Sequence, residues 1–198
     1  MKRYLKLISL FIVPILVFFA CLEYTLRKIP NDFKYKTEYM EKHGDSIEVL
    51  ILGSSHSLSF LRPALFHENT FNAANLNQTL KFDHFILNKY HKSMSNLKYV
   101  ILPISYATYF VDLESSKDKW RIKDYKMYMG YRGGNPLAYR LEVTNGSTPA
   151  QLDAAINYIT KGQDQLNCSG KGFGLKFSRD PQTNMQLTGK MVALRHTS

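Results

Sequence analysis

Residues Ile47–Leu52 form a short run of strand-forming side chains, apolar on both faces, that stops abruptly in Gly53-Ser54-Ser55. A strand that is apolar on both faces suits a parallel sheet covered on both sides. A strand that ends in a Gly-Ser turn carries a small nucleophile to the carboxyl edge of its sheet. That edge is where open α/β sheets bind ligands and do chemistry.

Two further segments fit the same sheet. Thr70–Ala74 reads as a second, shorter strand, and Tyr99–Ile104 (YVILPI) as a third that is again apolar on both faces. Between them, Thr79–Ser95 places Leu80, Phe82, Phe85, Ile86, Leu87 and Tyr90 at helical spacing. A short helix is expected over Pro63–Phe66, because proline suits the first helical turn. Strand, helical connection and strand at this spacing predict a parallel α/β sheet. The pattern weakens after Tyr109. Asp112–Arg140 is charged and tyrosine-rich, with Gly133-Gly134-Asn135-Pro136 as a loop, and Ala150–Thr160 reads as a helix. Gly170–Gly174 is a glycine-rich loop without the spacing of a phosphate loop. Three strands make a small sheet, so residues 47–198 are expected to hold only part of an α/β domain, as a truncated product or gene fragment would.

The amino end constrains the chain differently. Lys2, Arg3 and Lys6 precede the nearly uninterrupted apolar run Leu7–Leu22, which extends to Leu26. That gives about 20 residues, enough to cross a bilayer core as a helix even with Pro14 inside it. Residues 1–27 are therefore expected to be an uncleaved signal anchor with a cytoplasmic N-terminus. On this reading the remainder is exported and the protein sits in the cell membrane with a single pass. A cleavable signal peptide and a lipoprotein signal cut before Cys21 are the alternatives. Residues 28–46 read as a juxtamembrane linker, with a short helix over Lys36–Lys42.

Cys21 and Cys168 are the only cysteines, too few for a disulfide framework or a zinc site. The net charge of +10 is uneven: residues 1–115 carry 13 Lys and Arg against 10 Asp and Glu, and residues 116–198 carry 13 against 6. A basic second half suits anionic headgroups, an acidic polymer or simple solvation. No nucleic-acid motif accompanies the charge, so nucleic acid is not the expected partner.

Ser55 alone reads equally well as a turn or helix-capping serine. Its surroundings add to it. Asn72-Ala73-Ala74-Asn75-Leu76-Asn77-Gln78-Thr79 follows the second strand and offers amide donors for a developing oxyanion. The third strand delivers Ser105 and Tyr106 to a neighbouring position. Over residues 47–110 this pattern resembles the SGNH (GDSL-like) hydrolase superfamily, and within it the membrane-anchored, exported proteins that act on O-acyl groups of cell-surface polymers. The resemblance implies an incomplete flavodoxin-like three-layer parallel sheet. It also implies Ser55 as nucleophile, with its own N–H as one oxyanion donor. The family's second block runs Asn-x-x-x-x-Gly-x-Thr; this chain has Asn72 and Thr79 in place but Asn77 where the glycine stands. A backbone donor survives that change if Asn77 adopts a left-handed turn, which Asn tolerates better than most residues. Ser105 takes the place of the family's third-block Asn.

The fourth block, an Asp three residues before the catalytic His, is missing: no Asp-x-x-His occurs in the sequence. His196 follows Ala193 at that spacing, His56 adjoins Ser55 in the chain, and His67, His84 and His91 read as surface or packing residues. Without a base, a serine hydroxyl is a weak nucleophile. Three expectations follow. The first is an SGNH-like relative of esterases and O-acyltransferases of cell-surface glycans, needing no metal or organic cofactor. The second is a non-catalytic membrane-tethered binding or scaffold module, and the third a non-functional fragment. The bilayer is the expected partner of the N-terminal helix, and a cell-surface polysaccharide the partner that the resemblance implies.

Overall fold

The computed structural model describes residues 2–104, 106–135, 139–144 and 148–175. In chain order the elements are α1 (Lys2–Lys28), α2 (Asp32–His43), β1 (Val49–Ile51), α3 (Ser55–Phe60), β2 (Thr70–Asn72), α4 (Leu80–Tyr90), β3 (Tyr99–Ile101), α5 (Tyr106–Phe110), α6 (Ile122–Met127) and α7 (Thr148–Lys161). The protein is α/β, with a three-stranded parallel sheet in the order β2-β1-β3. The described residues group into two units. One takes the chain up to Thr37 and again from Leu113 to Leu166; the other takes Glu38–Asp112 and resumes at Asn167.

In the sheet unit, β1 is central and buried throughout, which explains why its sequence is apolar on both faces. Leu50 sits opposite Phe71 on one side and Val100 on the other. Phe82, Ile86 and Tyr90 of α4 are buried, and Tyr39 of α2 stacks on Phe71 at 4.2 Å. The third strand is present but shorter than expected, ending at Ile101. β3 is apolar yet lies at a sheet edge, with Tyr99 67% and Val100 40% exposed. Its composition matches a buried strand, but only β1 pairs with it among the described residues. The opposite edge is closed locally: the Asn72 N–H donates to Lys171 O, and Gly172 abuts Asn72. The glycine-rich loop is thus a structural seal on β2. The short helix expected at Pro63–Phe66 is a single 3-10 turn, Pro63–Leu65.

In the helical unit, α1 is 27 residues long, and its segment Ser9–Lys28, with mean hydropathy 2.1, is long and apolar enough to cross a membrane. Leu10–Phe19 are exposed along it, whereas Leu22, Leu26 and Ile29 are buried with Ala155 of α7. The helix expected at Lys36–Lys42 begins earlier, at Asp32. Asn31 Oδ1 accepts from the Lys34 N–H at 3.0 Å, and acidic and basic residues sit at the favourable ends. The stretch that reads as featureless, Asp112–Arg140, contains α6. Ile122, Tyr125 and Met129 recur at i, i+3 and i+7 and are all buried, with the Phe33 ring edge-on to Tyr125 at 5.0 Å.

Behind α6 lies a buried charge cluster. Lys123 pairs with Glu142 and stands 3.5 Å from Asp124, while Tyr128 donates to Glu142 at 2.8 Å. Burial pushes Asp124 up to about 6, against the pull of Lys123. Burial pulls Lys123 down, but the two carboxylates more than offset it and its pKa is raised.

Two stability predictions follow from these packings. Gly172 has φ +78, and a Cβ there would lie 2.1 Å from the Asn72 carbonyl oxygen, whereas Gly130 has φ +70 with open space. Gly172→Ala should therefore cost at least about 2 kcal/mol in thermal unfolding and Gly130→Ala about 1 kcal/mol. For Asp124, the folded pKa lies above the unfolded value of 3.8. Its contribution is fully present below the unfolded pKa and is lost as pH rises through about 6. Asp124→Asn should then stabilise the protein by about 1–3 kcal/mol at neutral pH. The gain should vanish in melts run near pH 4.

Candidate functional site

β1 runs out at Leu52, and the chain turns at Gly53 with φ +111. Glycine is required there twice over: the conformation disfavours other residues, and a Cβ would meet Ser57 Oγ at 2.5 Å. Ser54 is extended at the N-cap of α3, and the first helical bond runs from the Leu58 N–H to Ser54 O at 3.0 Å. Ser55 is thus the first residue of α3, half-buried, with its N–H ahead of the first intrahelical bond. The strand, Gly-Ser-Ser turn and helix place Ser55 at the carboxyl end of the central strand.

Beneath the turn lies a buried polar network. The Gly53 N–H donates to Asp83 Oδ1 at 2.8 Å, and Gln78 Nε2 donates to the same oxygen at 2.6 Å. Asn75 Nδ2 donates to Gln78 Oε1 at 2.8 Å and to Ala73 O at 3.2 Å. The Asn75 N–H donates to Gly53 O, so both peptide groups of Gly53 are held by the loop and helix that follow β2. Asn72 fixes the far end of α3: its Nδ2 donates to Ser57 O at 2.8 Å and Leu61 O at 3.1 Å, while its Oδ1 accepts from the Ala74 N–H. Asn72, Asn75, Gln78 and Asp83 are all at most 3% exposed. Burial pushes the Asp83 carboxyl above its ordinary value, against the hydrogen bonds from Gln78 and Gly53. Its Oδ2 makes no hydrogen bond among the described residues. A proton on that oxygen leaves both bonds at Oδ1 intact.

The sequence-predicted site residues divide. Asn77 has φ +54, a left-handed turn, and it is exposed in the Asn75–Gln78 turn. Ser105 and His196 lie outside the described residues. Among those described, no histidine bonds Ser55. His56 is exposed with its ring 6.2 Å from that of Phe60, His84 contacts Asn88, and His91 Nδ1 lies 2.8 Å from Asn88 O. His67 Nδ1 accepts from the Asn69 N–H. No group of three or more metal-ligating side chains converges among the described residues.

Sequence reading missed Asp83, and it offered Asn75 and Gln78 as oxyanion donors where the structure instead commits their amides to Ala73 O, Gln78 Oε1 and Asp83 Oδ1. A signal was present: Asp83 lies on the stripe that includes Ile86 and Tyr90, and an acidic residue on a buried face needs a fixed donor. Compared with protein-family models, characterised proteins and solved structures, the chain has no match.

Asp83→Asn keeps an acceptor where Oδ1 stands and changes only the oxygen that makes no hydrogen bond; it should cost less than about 1 kcal/mol. Asp83→Ala strands two buried donors and should cost about 2–4 kcal/mol. Hydrogen exchange at the Gly53 amide separates the two: protection should persist in Asp83→Asn and collapse in Asp83→Ala. Equal protection in both would dismiss the bond.

Proposed function

We propose that this chain is a membrane-anchored, exported SGNH-like protein, related to esterases and O-acyltransferases of cell-surface glycans, in which Ser55 holds the nucleophile position. The observation that carries the reading is the Gly53-Ser54-Ser55 turn at the carboxyl end of β1, the central strand of a parallel sheet ordered β2-β1-β3. In that order the chain passes from β1 to β2 on one side and then crosses over to β3 on the other, and open α/β sheets bind ligands where the strand order reverses. The same order is the beginning of a flavodoxin-like sheet. The left-handed turn at Asn77 adds support, since it is the conformation in which Asn can stand in place of the family's glycine.

In the proposed reaction Ser55 Oγ forms a bond to the acyl carbon of an ester, and the alcohol of the glycan leaves with a proton. The tetrahedral oxyanion is held by the Ser55 N–H with donors from Asn77 and Ser105. The hydroxyl proton needs a base, and the sequence holds no Asp-x-x-His. Ser55 is therefore expected to react slowly, by orders of magnitude, compared with a complete triad. The altered second and third blocks, with Asn77 and Ser105 where the family has Gly and Asn, favour the second reading, a membrane-tethered module that binds the polymer without cleaving it.

Labelling of the full chain in detergent with a fluorophosphonate distinguishes the two. Slow labelling that disappears in Ser55→Ala and persists in Ser54→Ala supports a nucleophile at Ser55. Labelling of the wild type no greater than that of Ser55→Ala would remove the enzyme reading and leave the binding module.

A further inference from the structure

Helix α7 packs against the last turns of α1. Its Ala155 is buried with Leu22, Leu26 and Ile29, and Leu152 and Tyr158 pack beside them. Leu22 and Leu26 lie inside the apolar span Ser9–Lys28, whose 20 residues match a bilayer core of about 30 Å. A helix that covers side chains within the span stands at the depth where the span ends. Tyr24, 65% exposed with Lys28 Nζ 5.2 Å from its ring centre, marks the same level; exposed tyrosine beside lysine is the usual side chain of a membrane–water boundary.

The apolar stripe of α7 is wider than its contact with α1. Leu152, Ile156 and Ile159 follow one another at i, i+4 and i+7, on the flank of Ala155. Ile156 is 54% and Ile159 70% exposed. Two exposed isoleucines thus flank the residues through which α7 packs on the end of the apolar span. The charge near the packed ends of the two helices also fits: Arg27 and Lys28 close α1, Lys161 closes α7, and Arg140, whose carbonyl accepts from Arg27, lies beside them, all four exposed. Basic residues at that level are drawn to anionic headgroups.

We propose that α7 is a second membrane-contact element, lying in the bilayer interface with Ile156 and Ile159 at the acyl-chain boundary and the surrounding basic residues among anionic headgroups. Its occupant is lipid, and the proposal rests on the reading of α1 as a membrane span. Such helices bury their apolar face about 5–10 Å below the headgroups. Contact there would hold the helical unit flat on the membrane in place of swinging from α1 alone.

The full chain, with Cys21 and Cys168 replaced by alanine, is reconstituted into vesicles of phosphatidylglycerol and phosphatidylcholine. An environment-sensitive fluorophore is attached in turn to Phe11→Cys, Ile156→Cys, Ile159→Cys and Lys161→Cys. At the two isoleucine positions the emission should be blue-shifted, quenched by a spin label near the carbonyl end of the acyl chain, and at least about threefold less sensitive to iodide than at Lys161→Cys. Phe11→Cys should respond to a spin label near the chain's methyl end. If Phe11→Cys responds and the isoleucine positions are as open to iodide as Lys161→Cys, α7 is solvated and the inference fails while the anchor stands. If the isoleucine positions resist both iodide and lipid quenchers, a protein surface covers α7 and the inference is equally overturned. If Phe11→Cys itself gives no lipid response, the anchor reading falls first and takes the α7 inference with it.

Discussion

One carboxylate oxygen, Asp83 Oδ1, fixes the geometry on which the proposed site depends. It accepts from the Gly53 N–H and from Gln78 Nε2, and so joins the end of β1, the start of α4 and the loop between β2 and α4. Glycine at φ +111 gives the turn the freedom it needs, but the same freedom makes its conformation costly to hold. The buried network supplies the restraint. A carboxyl whose charged form burial disfavours is kept in place by two donors, and the position of Ser55 follows from a group two elements away in the chain.

How much of this was legible in the sequence depends on whether each signal is local. The central strand and its turn were plain, because burial on both faces selects an apolar run and the turn selects glycine. The left-handed conformation at Asn77 was also foreseeable, since it follows from one residue's preferences. Asp83 was not singled out: a lone acid in an apolar helix identifies a buried partner only once the Gly53 amide is known to lie across from it. The segment containing α6 gives no clear element in the sequence, because its helix depends on burial of Ile122, Tyr125 and Met129 and its polar positions obscure the period. Tertiary burial outweighs local composition there.

The third strand shows the converse case. Tyr99-Val100-Ile101 has the composition of an interior strand and is one of the two edges of its sheet. Parallel pairing turns the Tyr99 N–H toward Glu48 O and Ile101 O toward the Leu52 N–H, which leaves the Val100 peptide groups pointing to the open side. Such an edge is a template for another strand. The chain places charge at its entrance: Lys98 Nζ pairs with Glu48 at 2.7 Å, and Asn69 donates to the same carboxylate at 3.1 Å. The pair lies in water and contributes little to stability. Its physical effect is on pairing, because a strand docking on β3 must accommodate a solvated lysine just before the first apolar position. Composition therefore reports what a strand can be buried against, while its neighbours decide whether it is. In β1 the two agree; in β3 they differ, and the apolar edge guarded by one ion pair is the consequence.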